Sequence, residues 1–93
     1  MAVTVKLPTQ LRAAAGNATE AQVQGGTVGE VLDDLYAQHA ELRERIADDG
    51  GGLRRFVNVY LNDEDVRFLS GLDTPVKDGD TVTVLPAVAG GAL

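Results

Sequence analysis

The apolar positions of this chain change period as it is read from the start. Val3, Val5 and Leu7 alternate with Thr4 and Lys6, the repeat of a strand with one buried face. Pro8 closes that run. The Ala-rich stretch LRAAAGNA carries a Gly16-Asn17 turn signal, and TEAQVQ alternates again with Ala21 and Val23 on the inner side. Together the two runs predict an opening hairpin with a long loop.

From GGTVGEVLDDLYAQHAEL the period lengthens: Val28, Val31, Leu32, Leu35 and Leu42 recur three and four residues apart along one helical stripe,. Thr27 and Glu30 make a capping box just after Gly25-Gly26, which sets where the helix starts. ELRERI either extends this helix or forms a second turn that carries Ile46 inward, and DDGGG ends it.

Period two then returns in RFVNVYLN, with Val57, Val59 and Leu61 on one face and Phe56, Asn58 and Tyr60 on the other,. NDED predicts a turn, VRF a short return strand, and Asp78-Gly79-Asp80 a turn into a last strand with Val82 and Val84 on one side. The order is strand, strand, helix, strand, short strand, strand. One amphipathic helix covers one face of a small sheet, which makes a two-layer α+β domain. The last strand lies beside the first, in parallel, through a right-handed crossover. That is the β-grasp arrangement: a mixed sheet of four to five strands packed on one main helix, over residues 1–86, with 87–93 as a flexible C-terminal tail.

Composition narrows the chemistry. At 93 residues with 44% hydrophobic and 24% charged residues, the chain is one globular domain too small for two cores. A net charge of −6 opposes phosphate backbones and anionic lipid, so neither nucleic acid nor membrane is expected as a partner. The pairs Arg43 with Arg45 and Arg54 with Arg55 sit beside acidic residues and read as solvated faces. No segment approaches the roughly 20 apolar residues of a membrane span, and a cytoplasmic location is expected. Cysteine is absent, so no thiolate nucleophile or thiol-ligated metal is available. The single histidine, His39, cannot build a zinc site. Asp63, Glu64 and Asp65 belong to a hairpin turn rather than a cation site, and Ser70 lacks the context of a nucleophile.

The chain ends DGDTVTVLPAVAGGAL, and this ending carries a resemblance. An acidic glycine turn, a final strand, a proline and Gly-Gly on a β-grasp order resemble the MoaD/ThiS family of ubiquitin-like sulfur-carrier proteins. RFVNVYLNDEDVRF and PAVAGG together resemble most closely the CysO-type carriers of cysteine biosynthesis. The resemblance implies a carrier protein rather than an enzyme. Its C-terminal glycine carboxylate, here Gly91, is adenylated by an E1-like adenylating and sulfurtransferase enzyme and converted to a thiocarboxylate. No cofactor is bound by the carrier; ATP is used by the activating partner. Ala87, Val88, Ala89 and Gly90 then form the arm that reaches into that partner. Ala92 and Leu93 depart from the family ending, so the sequence reads as a precursor cut after Gly91 by a peptidase, or as one bearing an artificial remnant or an inactivating extension.

The CysO-type route implies two further partners, a cysteine synthase-like acceptor of the sulfur and a metallopeptidase that frees the product. Phe56, Tyr60 and Leu85 are expected on the sheet face away from the helix, as a partner-binding cluster, unless the LRAAAGNA loop covers some of them. Asp78 and Asp80 are expected near the exit of the tail, as steering charges for a basic partner. Three other readings stand beside this one: the small subunit of molybdopterin synthase, a ubiquitin-like protein modifier, and a non-covalent binding module.

Overall fold

The structure, a computed structural model, describes residues 2–48, 50, 52–54 and 57–86. Five strands form one mixed sheet: β1 (Ala2–Lys6), β2 (Glu20–Gln24), β3 (Val57–Leu61), β4 (Glu64–Asp65) and β5 (Thr81–Pro86), in the order β2-β1-β5-β3-β4. The first and last strands are parallel neighbours at the centre, with Val5 opposite Val82. The other pairings are antiparallel, Val3 opposite Val23 and Val59 opposite Val84. The β-grasp order read from the sequence is therefore the order found.

Period-two alternation explains which face is dry. Val3, Val5, Val23, Val59, Val82 and Val84 are all buried to within 1% of full. They meet Val28, Val31, Leu35, Leu42 and Ile46 from the helical layer, each with no exposed surface. Burying a side chain of this size stabilises the fold by about 1.5–3 kcal/mol before entropy is counted.

The helix α2 (Val28–Gln38) begins where the capping box puts it. Glu30 N–H donates to Thr27 Oγ1 at 3.2 Å, and the Glu30 carboxylate accepts from Gly26 N–H at 2.8 Å. Val28 N–H donates to Thr74 O and Val76 N–H to Gly26 O, which ties this end of the helix to the segment leading into β5. Asp34 and Gln38, one turn apart on α2, reach the edge strand: Asp34 Oδ2 accepts from Gln24 N–H at 2.8 Å, and Gln38 Nε2 donates to Gln22 O at 3.0 Å. Two outward backbone groups of an otherwise open edge are thereby satisfied.

ELRERI is a second helix, α3 (Ala40–Ile46), separated from α2 by His39 at φ −137°, ψ 83°. The stripe would have aimed the imidazole at the core. Breaking the helix there leaves His39 half-buried while Leu42 and Ile46 still pack inward. Asp48 closes the following loop, its Oδ1 accepting from the N–H groups of Gly50 and Gly52 at 2.9 Å each.

Two local expectations are corrected. The LRAAAGNA loop is partly helical, with α1 (Thr9–Arg12) and a 3₁₀ turn at Ala13–Ala15. Its Leu11 and Ala15 are buried in the core cluster. The return strand is Glu64–Asp65, not VRF, because Val66–Phe68 is a 3₁₀ turn whose start is capped by Asp65 Oδ1, accepting from Arg67 N–H at 2.9 Å. An aspartate that offers its side chain to the backbone two residues on competes with the ladder, and here it wins.

Candidate functional site: the open sheet face and the root of the tail

The sheet face away from the helices is divided. On β1 and β2 it is polar, with the Thr4 hydroxyl and the Gln22 amide hydrogen-bonded at 3.0 Å beside Lys6 and Glu20. On β5 and β3 it carries two large side chains, Tyr60 and Leu85, among Asn58, Thr81 and Thr83. Leu85 lies directly opposite Asn58, and Tyr60 opposite Thr83, so Tyr60 and Leu85 are diagonal neighbours on one face, within reach of side chains of this length. Leu85 is 42% exposed and Tyr60 is half-buried. The expected pairing of these two residues is present; Phe56, the third member, lies outside the described residues.

β5 is also the strand from which the last residues continue. Its final described residue, Pro86, is opposite Val57 at the start of β3. Gly91, with Ala87, Val88, Ala89, Gly90, Ala92 and Leu93, lies outside the described residues.

Asp78 and Asp80 are not near that exit. They precede β5, at the opposite end of a six-residue strand, roughly 20 Å from Pro86 at about 3.3 Å per residue. Both are engaged in the fold. Asp78 Oδ1 accepts from Ala2 N–H at 2.9 Å, and Asp80 Oδ2 from Lys77 N–H at 2.8 Å. Their acid side chains and Gly79, at φ 89°, build the turn that starts the last strand. The same composition that looked like a docking charge is turn chemistry.

Arg67 stands at the root instead, and the sequence reading passed over it. Its Nη1 donates to Asn58 Oδ1 at 2.9 Å and its Nη2 to Val57 O at 2.7 Å. These are the residues opposite Leu85 and Pro86. Asp65 two residues before Arg67 was the available signal for a turn that delivers this side chain.

On the helical side a shallow hollow is lined by Asp33, Tyr36, Ala37, Ala40 and Arg43. The Arg43 guanidinium stacks over the Tyr36 ring at 5.8 Å, a cation–π contact where a merely solvated arginine was expected. Burial, with the Asp33 charge adding to it, pushes the Tyr36 phenol up to about 12, against a smaller opposing pull from Arg43. Among the described residues no group of three or more acidic or imidazole side chains could hold a metal ion, and no helix is long and apolar enough to cross a membrane.

Comparison with known proteins places this architecture. The ThiS family model matches residues 5–91. The chain belongs to the ThiS family. It is 52% identical over 93 residues to the sulfur carrier protein CysO of Mycobacterium tuberculosis, covering 98% of this chain and 100% of that one. A chain in the crystal structure of the Amycolatopsis orientalis BexX/CysO complex is 52% identical and superposes with a TM-score of 0.88, covering 96% of this chain and 99% of that chain. Small archaeal modifier protein 3 of Haloferax volcanii is 45% identical over 65 residues, 70% of each chain. Membership sets the chain among sulfur carriers, ubiquitin-like β-grasp proteins rather than enzymes.

Proposed function

We propose that this protein carries sulfur as a thiocarboxylate on Gly91, for the biosynthesis of cysteine or a related sulfur metabolite in the cytoplasm. The observation that carries the reading is the placement of the family's terminal motif on this fold. The central strand of the sheet ends at Pro86, one residue after Leu85 of the open face, and AVAGG follows it in the sequence.

The chemistry is that of a carboxylate made electrophilic. A Gly91 carboxylate oxygen attacks the α-phosphate of ATP held by the adenylating enzyme, and pyrophosphate leaves. A sulfide-level sulfur nucleophile then attacks the carbonyl carbon, the C–O bond to phosphate breaks, and AMP departs with the electron pair. No cysteine on the carrier is needed. Glycines at 90 and 91 suit the arm because, lacking Cβ, they enter a narrow channel in conformations other residues avoid. Ala87 to Gly91 spans at most about 17 Å, so the folded body docks close by and raises the local concentration of the acyl group.

Because Ala92 and Leu93 follow Gly91, a peptidase must cut between Gly91 and Ala92 before the Gly91 carboxylate exists. In the cysteine route a synthase would consume the thiocarboxylate and a metallopeptidase would release the product from the tail. The similarity to a small archaeal modifier protein favours one second reading, amide-linked attachment to protein lysines, which uses the same adenylate. ATP–pyrophosphate exchange with the adenylating enzyme of the same organism tests the proposal. Protein ending at Gly91 should support exchange, protein ending at Leu93 should not, and equal exchange by both would refute the processing step.

A further inference from the structure

We infer that Phe68 and Arg67 form a docking knob at the root of the tail, received by an apolar pocket with a carboxylate at its rim on the adenylating enzyme. This rests on the proposed function for the identity of the partner. It goes beyond the open sheet face, because the knob lies on the 3₁₀ turn after β4, at the edge of the sheet.

Three large apolar side chains are exposed among the described residues: Phe68 at 87%, Leu85 at 42% and Leu69 at 40%. All three belong to the last turn of the β3–β4 excursion or to the penultimate position of β5. The pairing of Tyr60 with Asp65 and of Leu61 with Glu64 sets the direction: β4 runs back along β3 toward Val57. Continued by three residues, that register would put Phe68 opposite Val57, with its backbone in the ladder. The Asp65 cap prevents this, and the Arg67 guanidinium occupies Val57 O in place of a backbone donor. The strand is thus stopped three residues short of the tail root, and the phenyl ring is left in water.

The fold draws nothing visible from that ring. Val66, two residues earlier, supplies the turn's core contact with no exposed surface, and Arg67 supplies its tether. A phenylalanine almost wholly in solvent therefore reads as contact surface awaiting a partner. Arg67 adds a cation whose position is already fixed by two hydrogen bonds, so little side-chain entropy remains to be lost when it meets a carboxylate. On a chain of net charge −6, a tethered cation beside an exposed aromatic is a local signature that a carboxylate-rimmed apolar pocket complements.

Reach points to an enzyme that acts at Gly91, and the proposed function makes the adenylating enzyme the one that must hold this carboxylate. An enzyme that acts at Gly91 lies within about 17 Å of Pro86, because five extended residues reach no further. Pro86 is opposite Val57, and Val57 O is held by Arg67. A body so close to the end of β5 covers the turn that is hydrogen-bonded to its neighbour.

The test is a calorimetric titration of the adenylating enzyme with protein ending at Gly91, wild type against Phe68→Ser and Arg67→Lys, without ATP. Phe68→Ser should bind about tenfold more weakly or worse, with a thermal midpoint unchanged within error. Arg67→Lys should also weaken binding, since an ammonium cannot hold two fixed acceptors and a partner carboxylate with one planar fork. Wild-type affinity in Phe68→Ser, or no binding of the wild type, overturns the inference. Sedimentation equilibrium of the carrier alone addresses another occupant: a dimer that Phe68→Ser dissociates would show that a second copy, not the enzyme, takes the knob. Pyrophosphate exchange by the wild type reads the proposed function separately, so a carrier that exchanges normally with a silent Phe68→Ser defeats the knob alone.

Discussion

Val84 and Leu85 are neighbours on the last strand and should behave as opposites. Val84 faces the helices with no exposed surface, whereas Leu85 lies on the open face with 42% of its surface exposed. Val84→Ala removes two buried carbons, worth about 1.6 kcal/mol of transfer at ~0.8 kcal/mol each, and leaves a cavity between sheet and helix, for a total of about 2–3 kcal/mol. Leu85→Ala removes three carbons that are little more than half buried, and water fills the space, so its cost is about 1 kcal/mol. With a urea dependence near ~1 kcal/mol/M for a domain of this size, the midpoint should fall by about 2 M or more for Val84→Ala and by about 1 M for Leu85→Ala. Affinity for the adenylating enzyme should invert the order. Val84→Ala, measured well below its melting temperature, should bind as wild type, and Leu85→Ala should lose about 1–2 kcal/mol, or roughly 5- to 30-fold. A Leu85→Ala protein that unfolds as easily as Val84→Ala while binding normally would refute the division of the sheet into a core face and a docking face.

A Cβ added at Gly25 would sit 2.7 Å from Val31 N and 2.9 Å from the Glu30 carbonyl carbon, so Gly25→Ala must push back the first turn of α2 and should cost about 1–3 kcal/mol by thermal melt. The Tyr36 phenol, neutral when protonated, is held up to about 12 from an ordinary 10. Its contribution to stability is complete below pH 10 and is lost as pH rises from 10 toward 12. Urea midpoints should therefore fall more steeply over that window in wild type than in Tyr36→Phe, and parallel profiles would contradict the assignment. Replacing Asp34 and Gln38 together by alanine uncovers Gln24 N–H and Gln22 O on the β2 edge. Concentration-dependent self-association should then exceed that of wild type in sedimentation velocity, and equal behaviour would contradict the edge-covering role.

Periodicity made most of the fold legible, because each element buries one face and the residues on it are spaced accordingly. Val3 and Val5, the stripe from Val28 to Leu35, and Val82 with Val84 all pack where their spacing put them. Failures came where a side chain competes with the backbone. Asp65 converted a presumed strand into a turn by accepting from Arg67 N–H, whereas the break at His39 is the second of the two readings that ELRERI left open. Composition also misplaced Asp78 and Asp80, whose charges serve the turn before β5 rather than the end after it. Leu85 and Tyr60 were found because apolar residues on both faces of a strand are conspicuous. Phe68 was not, since VRF reads as a return strand until the register and the Asp65 cap show it unpaired.

The central claim is that Gly91 carries the sulfur. Protein ending at Gly91, incubated with its adenylating enzyme, ATP and sulfide, and analysed by intact-protein mass spectrometry with fragmentation, measures it most directly. The account predicts the mass gained when sulfur replaces one oxygen, located at the C-terminal residue and absent from protein that still ends at Leu93. No gain under these conditions, or sulfur located at any other residue, would contradict it.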